Sequence, residues 1–361
     1  MSGSPDVAVI GAGIVGCAVA AFLAEAGAAV VLLERETIAA GASGRNSGLL
    51  QHPMDAALAP LFAESLEHYR ALEEHGFALA SEPNGMLVVA EDERELGREA
   101  AALRVAFPGL DAELLPAGEP AALEPALAPR LAAIRLATGY AIPPHAATEA
   151  FAARARAAGA EIRVGAHAAL ADGGVRTGAE MIEAAAVVVA AGPWTPGLVD
   201  PSEAWRPIAA LWGVVCELRL PAPPRHALEE AGIDTLLRAP GEPAPRFSLL
   251  TAGAISALGS TFLSRAPEPA ALVPALRAWG ARFVPALAAA ESTGVRACAR
   301  PLSADGLPLL GPAPGRSDVY VAAGHGPWGI SLGPASARLV ADGVLGRDTA
   351  IPAAFDPARF G

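Results

Sequence analysis

The hexapeptide Gly11-Ala12-Gly13-Ile14-Val15-Gly16 stands between an apolar run, Val7-Ala8-Val9-Ile10, and an Ala-rich segment extending to about Ala26. Continuous apolar residues, a glycine turn and a helix-forming stretch read as strand, tight turn and helix. Gly11 permits the turn, Gly13 lets backbone approach a pyrophosphate, and Gly16 allows the helix to pack close on the strand. The helix N-terminus then offers free N–H groups and partial positive charge to phosphates. Gly27 sits where a helix takes a left-handed C-terminal residue. Val30-Val31-Leu32-Leu33 reads as the next strand, ended by Glu34. A carboxylate there, about twenty residues beyond the glycines, can accept hydrogen bonds from ribose hydroxyls. The unit is βαβ, and its two continuously apolar strands predict a parallel sheet covered by helices on both faces.

A similar phrase returns at Glu149 to Ala158, with Gly159 as stop and Glu161-Ile162-Arg163-Val164 as strand. Between the two, Asn84 to Ala90 reads as a strand and Glu91 to about Ala106 as a charged helix, followed by Pro-rich sequence through Pro129. Further on, strand-like Val214 to Leu220 and Ile255 to Leu258 alternate with Pro-rich loops such as Pro221-Ala222-Pro223-Pro224. A chain of 361 residues exceeds the usual single-core domain, so two domains around a shared cleft are expected.

Charge narrows the function. The net charge of −12 has the wrong sign for a polyanion partner, which excludes nucleic acid. All 26 basic residues are arginine, which rules out Schiff-base and P-loop lysines. The three cysteines, Cys17, Cys216 and Cys298, are odd in number and far apart, indicating neither a disulfide framework nor a metal site. The uncharged run from Val7 to Ala24 is broken by glycines and preceded only by Asp6, so neither a transmembrane span nor a signal peptide is expected. A soluble, cytoplasmic protein fits best.

Three further stretches look like ligand loops. Gly41-Ala42-Ser43-Gly44-Arg45-Asn46-Ser47-Gly48 is small and polar, able to wrap a long cofactor with backbone donors or to serve as a flexible loop. Val187-Val188-Val189-Ala190-Ala191-Gly192 is a buried strand ending in small residues, as where backbone crosses near a ligand. Gly324-His325-Gly326-Pro327-Trp328-Gly329-Ile330-Ser331-Leu332-Gly333-Pro334 precedes a helix expected from about Ala335 to Val344, with Pro334 in its first turn. A glycine-rich loop before a helix is a second anion site, suited to the negative charge of a reduced flavin.

Together these motifs, with the Ala299 to Pro312 stretch, resemble the D-amino-acid oxidase family of flavoenzymes, which includes glycine oxidase, sarcosine oxidase and D-amino-acid dehydrogenases. Five motifs occur in order across the cofactor domain; over the substrate domain the likeness is architectural. The resemblance implies an α/β fold of the glutathione-reductase-like type: a Rossmann-like FAD-binding domain (1–80, 141–206 and 297–361) and a mixed α+β substrate domain (81–140 and 207–296). It implies FAD and oxidation of a small amino acid or N-methyl amino acid by hydride transfer to flavin N5. By position, Ile14, Val15, Glu34, Arg35, Ala42, Ser43, Arg45, Asn46, Ser47 and Gly48 become cofactor contacts. Val164 joins them at the adenine, Ala191 and Gly192 are further cofactor contacts, and His325, Gly326, Trp328, Gly329, Ile330 and Ser331 form the flavin-binding turn.

Arg300 matches the arginine that clamps the substrate carboxylate, a role that bidentate, permanently charged guanidinium chemistry suits on its own terms. Phe247 stands where glycine oxidase has a tyrosine over the substrate, and Pro327 where it has a second carboxylate-binding arginine. Gln51 and His52 align with pocket residues, and His52 either lines the active site or binds backbone at a loop. Ala257 replaces the lysine that sarcosine oxidase uses toward oxygen, leaving oxygen, a quinone or an electron-transfer partner as acceptor. Cys298 resembles in spacing a cysteine that links flavin covalently, although the local sequence follows non-covalent members. The residues also accommodate a 2-hydroxy-acid dehydrogenase on the same scaffold, or an FAD-binding subunit without turnover.

Overall fold

A computed structural model of the chain describes residues 4–232, 245–347 and 350–361. The glycine turn does what its sequence predicts. Strand Val7–Ile10 enters it, helix Ile14–Glu25 leaves it, and strand Val30–Glu34 returns parallel to the first. These strands sit inside a six-stranded sheet in the order 309–313, 316–323, 186–189, 7–10, 30–34 and 161–164. All its pairings are parallel except that of Leu309–Ala313 with Arg316–Ala323.

The two faces of this sheet are covered differently. Val7, Val9, Val30 and Leu32 pack under helices Ile14–Glu25, Pro144–Ala157 and Gly329–Val344. The alternate residues Ala8, Ile10, Val31 and Leu33 pack with Val175 and Ile182 of a three-stranded antiparallel sheet, 168–171, 174–177 and 180–183. Helices on both faces, the sequence expectation, are therefore corrected to helices on one face and a small sheet on the other. Continuous apolar strands report only that both faces are buried, and do not reveal what buries them.

The second architectural unit is an eight-stranded mixed sheet in the order 291–303, 208–219, 255–259, 248–252, 227–230, 86–90, 132–136 and 113–115. Strand Met86–Ala90 splits its side chains between two cores. Leu87 and Val89 face a core that includes Leu276 and Phe283, while Met86 and Val88 pack with Leu96 and Leu103 of helix Glu93–Ala106. That alternation is the period-two signature of a sheet with both faces buried. The long strand Glu291–Ser303, which carries Arg300, belongs to this sheet and runs through position 297, where the cofactor segment was expected to begin.

Candidate active site

Two glycines set the N-terminal cradle. Gly11 has φ +104°, and a Cβ there would lie 2.6 Å from the Ala190 carbonyl oxygen. A Cβ on Gly16 would strike the Gly11 carbonyl, so only glycine lets helix and turn close on each other. Gly16 is thus a packing residue and does not line the cleft. The Ile14 N–H donates to Ser43 Oγ at 2.9 Å, which ties the first turn of the helix to the Gly41–Gly48 loop. No acidic side chain occupies that first turn, so its positive end stays open to an anion. The Glu34 carboxylate accepts from Ala12 N at 2.8 Å and Glu36 N at 2.9 Å, which fixes it at the cleft wall.

A cleft of about 450 Å³ runs from this cradle to Arg300. It gathers most of the cofactor residues expected from sequence: Gly11, Gly13, Ile14, Val15, Glu34 and Arg35 on one side, and Ala42, Ser43, Arg45 and Asn46 on another. Ala191, Gly192, His325, Gly326, Gly329 and Ile330 complete it. Arg35 lies over the Trp194 ring, 4.0 Å from its centroid, and forms a cation–π wall at the cleft mouth. Val164 is 52% exposed and does not line the cleft; Ala166, His167 and Ala168, just beyond that strand, do. Gly48 instead closes a turn, where a Cβ would strike the Ile142 carbonyl, and Ser331 Oγ accepts from Gln51 N at 3.2 Å. Neither faces the cleft.

The helix behind the C-terminal loop runs Gly329–Val344, so the expected start at Ala335 is corrected by almost two turns. Pro334 lies inside the helix. The positive end therefore falls at Gly329, on the cleft wall itself. His325 is 2% exposed, and its Nε2 has no hydrogen-bond partner among the described residues. Burial pulls its pKa down to about 4, so the ring is neutral at ordinary pH.

Arg300 stands where this cleft meets a smaller cavity of about 100 Å³. Its Nη1 donates to the Thr261 carbonyl at 2.9 Å and its Nη2 to Ser260 Oγ at 2.6 Å. The guanidinium lies 4.9 Å from the Phe262 ring centroid. Burial lowers its pKa, yet a guanidinium remains protonated across the accessible range. Among the described residues no carboxylate pairs with it. A half-buried cation held by neutral groups and facing a cavity is an arrangement able to take an anion. Gln51, Ser47, Ser248, Trp328 and Pro327 share the smaller cavity with it, as do Cys298 and the carboxylate residue Glu229.

Two expected site residues lie elsewhere. Phe247 is fully buried, stacked on Phe283 with ring centroids 4.5 Å apart, in the core of the eight-stranded sheet. Its neighbour Ser248 faces the cavity, because one step along a strand changes face. His52 lines neither cavity. Its Nδ1 accepts from Met54 N at 3.0 Å, and its ring packs edge-on against Phe62 and Phe107. Desolvation lowers its pKa, and it serves to hold the loop. Ala257 also lines neither cavity. Sequence reading missed Ser260, Thr261 and Phe262, which hold Arg300 from about forty residues away, and Trp194, which faces Arg35. The small polar run after the Ile255–Gly259 strand was the available signal for the first group.

Fold and site together define a dinucleotide-binding oxidoreductase whose cofactor cleft meets a smaller cavity at Arg300. The chain belongs to the FAD dependent oxidoreductase (DAO) family, which it matches over residues 6–343, and its cofactor is FAD. The glycine cradle and the two helix N-termini on the cleft wall fit that cofactor. A glycine oxidase of Geobacillus kaustophilus (strain HTA426) is 29% identical over 392 aligned residues, spanning 98% of this chain and 96% of that protein. The crystal structure of glycine oxidase from Geobacillus kaustophilus superposes with a TM-score of 0.84 at 26% identity, covering 98% of each chain. L-proline dehydrogenase from P. horikoshii shares the fold at a TM-score of 0.84 and 22% identity, over 100% of this chain and 98% of that one. Among the described residues no helix is long and apolar enough to cross a membrane, and no side-chain cluster is arranged to hold a metal ion.

Proposed function

We propose that this enzyme oxidises the C–N bond of a small amino acid whose carboxylate is bound by Arg300. The observation that carries the reading is a half-buried, permanently charged guanidinium, without a carboxylate ion-pair partner among the described residues, at the junction of the cofactor cleft and a cavity of about 100 Å³. A volume of that order admits a small substrate and little more. Similarity to glycine oxidase along nearly the whole chain supports the same chemistry.

FAD held in this cleft would supply a two-electron acceptor able to receive hydride. The protein supplies position. Thr261 and Ser260 hold the guanidinium fork in place, so a clamped carboxylate has one orientation and its Cα–H one direction. The Gly329 helix end and the backbone cradle place positive partial charge around the cleft, where reduction adds negative charge.

Anaerobic mixing of the holoenzyme with D-, L- and N-methyl amino acids and with 2-hydroxy acids tests the proposal. Bleaching by amino acids supports it; bleaching by hydroxy acids alone, or by neither, overturns it. Admitting air then separates oxygen from a quinone or electron-transfer partner as acceptor. We read the flavin as non-covalent despite Cys298 lining both cavities, and acid precipitation should leave the yellow colour in the supernatant.

A further inference from the structure

Pro334 lies within the Gly329–Val344 helix, where a proline removes the N–H that would bond the carbonyl four residues back and presses its ring against that carbonyl. The carbonyl belongs to Ile330, in the first turn of the helix and on the wall of the FAD cleft. In place of the missing backbone donor, the Tyr69 hydroxyl donates to the Ile330 oxygen at 2.6 Å. One turn earlier on the same Ala59–Arg70 helix, Ser65 Oγ accepts from the N–H of Ala335, the residue after the proline, at 3.1 Å. Tyr69 and Ser65 are each 0% exposed, so water does not replace either. The Tyr69 ring is fixed between Phe77 and Phe151, with centroids 5.7 Å and 6.0 Å away.

The location of this repair gives it a role. At Gly333 the helix lies so close to the N-terminal cradle that a Cβ would be 3.1 Å from Ile14 Cγ2. The second turn of this helix therefore packs on the first turn of the Ile14–Glu25 helix, and the N-terminal residues of both line the cleft. An unsatisfied carbonyl at Ile330 would release one of them.

We propose that Tyr69 is a positioning residue for FAD: its hydroxyl substitutes for the backbone donor that Pro334 removes, and so sets the first turn of the Gly329–Val344 helix against the cofactor. The inference rests on FAD binding and is independent of the substrate assignment.

The test uses Tyr69→Phe, Pro334→Ala and the double variant. FAD affinity is read from flavin fluorescence during titration of apoprotein, and the flavin midpoint potential is read in the holoenzymes. In the Pro334→Ala background the helix regains its own donor for Ile330, which makes the tyrosine hydroxyl redundant. With Pro334 present, Tyr69→Phe should weaken FAD binding about tenfold and make the potential more negative, because a buried acceptor is orphaned and the helix end loses its aim. The same change in the Pro334→Ala background should stay within about twofold. Equal losses in both backgrounds, or no loss in either, would overturn the proposal. If Tyr69→Phe alone fails to fold, folding of the double variant supports the proposal and its failure overturns it.

Discussion

The Arg300 guanidinium occupies the space into which a side chain at Gly213, diagonally across the strand ladder, would project. The placement of Arg300 therefore depends on a residue that lines neither cavity. Gly213→Ala should push the guanidinium off Ser260 and Thr261, raising the substrate KM about tenfold or more while FAD content holds. An unchanged KM would mean that Arg300 does not need this position.

The glycines of the cradle should differ in sensitivity. At Gly16 a Cβ meets backbone, the Gly11 carbonyl, which cannot rotate away; at Gly13 it meets Ser43 Oγ at 3.0 Å, a side chain that can give. Gly16→Ala is expected to abolish flavin content and Gly13→Ala to reduce it, as judged by visible absorbance per protein. The reverse order would contradict the packing described.

His325 predicts a pH dependence of apoprotein stability. Its pKa is about 4 when folded against an ordinary 6.5, so between those values the unfolded chain binds more protons. Stability is complete above about pH 6.5 and falls as pH drops toward about 4, by on the order of 3 kcal/mol for a fully buried ring. His52 is shifted in the same direction by desolvation, so His325→Gln should shallow the slope without removing it. Urea titrations at several pH values would show this, and an identical slope in the variant would contradict it.

Phe247 and Ser248 provide a neighbouring contrast. Phe247→Ala empties a buried stack on Phe283 and should cost about 3–5 kcal/mol, with little effect on the KM of the surviving folded enzyme. Ser248→Leu fills the small cavity and should raise KM with little change in unfolding midpoint. Calorimetry and steady-state kinetics on both would reveal any exchange of these roles.

Local patterns were legible in the sequence and cross-chain ones were not. The Val7 to Glu34 unit was readable because glycine sterics and continuous apolar strands act within about thirty residues. Pro334 was misplaced because a proline in the first turn of a helix is the usual case; its tolerance in the interior comes from Tyr69, distant in sequence. Phe247 was misread by one residue, enough to invert its face in a strand. Ser260 and Thr261 carry no motif. Their function exists only once the Ile208–Arg219 strand lies between the Ile255–Gly259 and Glu291–Ser303 strands.

The central claim is that Arg300 holds the carboxylate of an oxidisable amino acid, and anaerobic titration of flavin absorbance in wild-type and Arg300→Ala holoenzymes tests it most directly. The account predicts equal FAD content, saturable bleaching of the wild type by a small amino acid, and an apparent affinity in the variant weaker by about a hundredfold, as loss of a charge-assisted bidentate contact implies. Bleaching at the same substrate concentration in both proteins would contradict it.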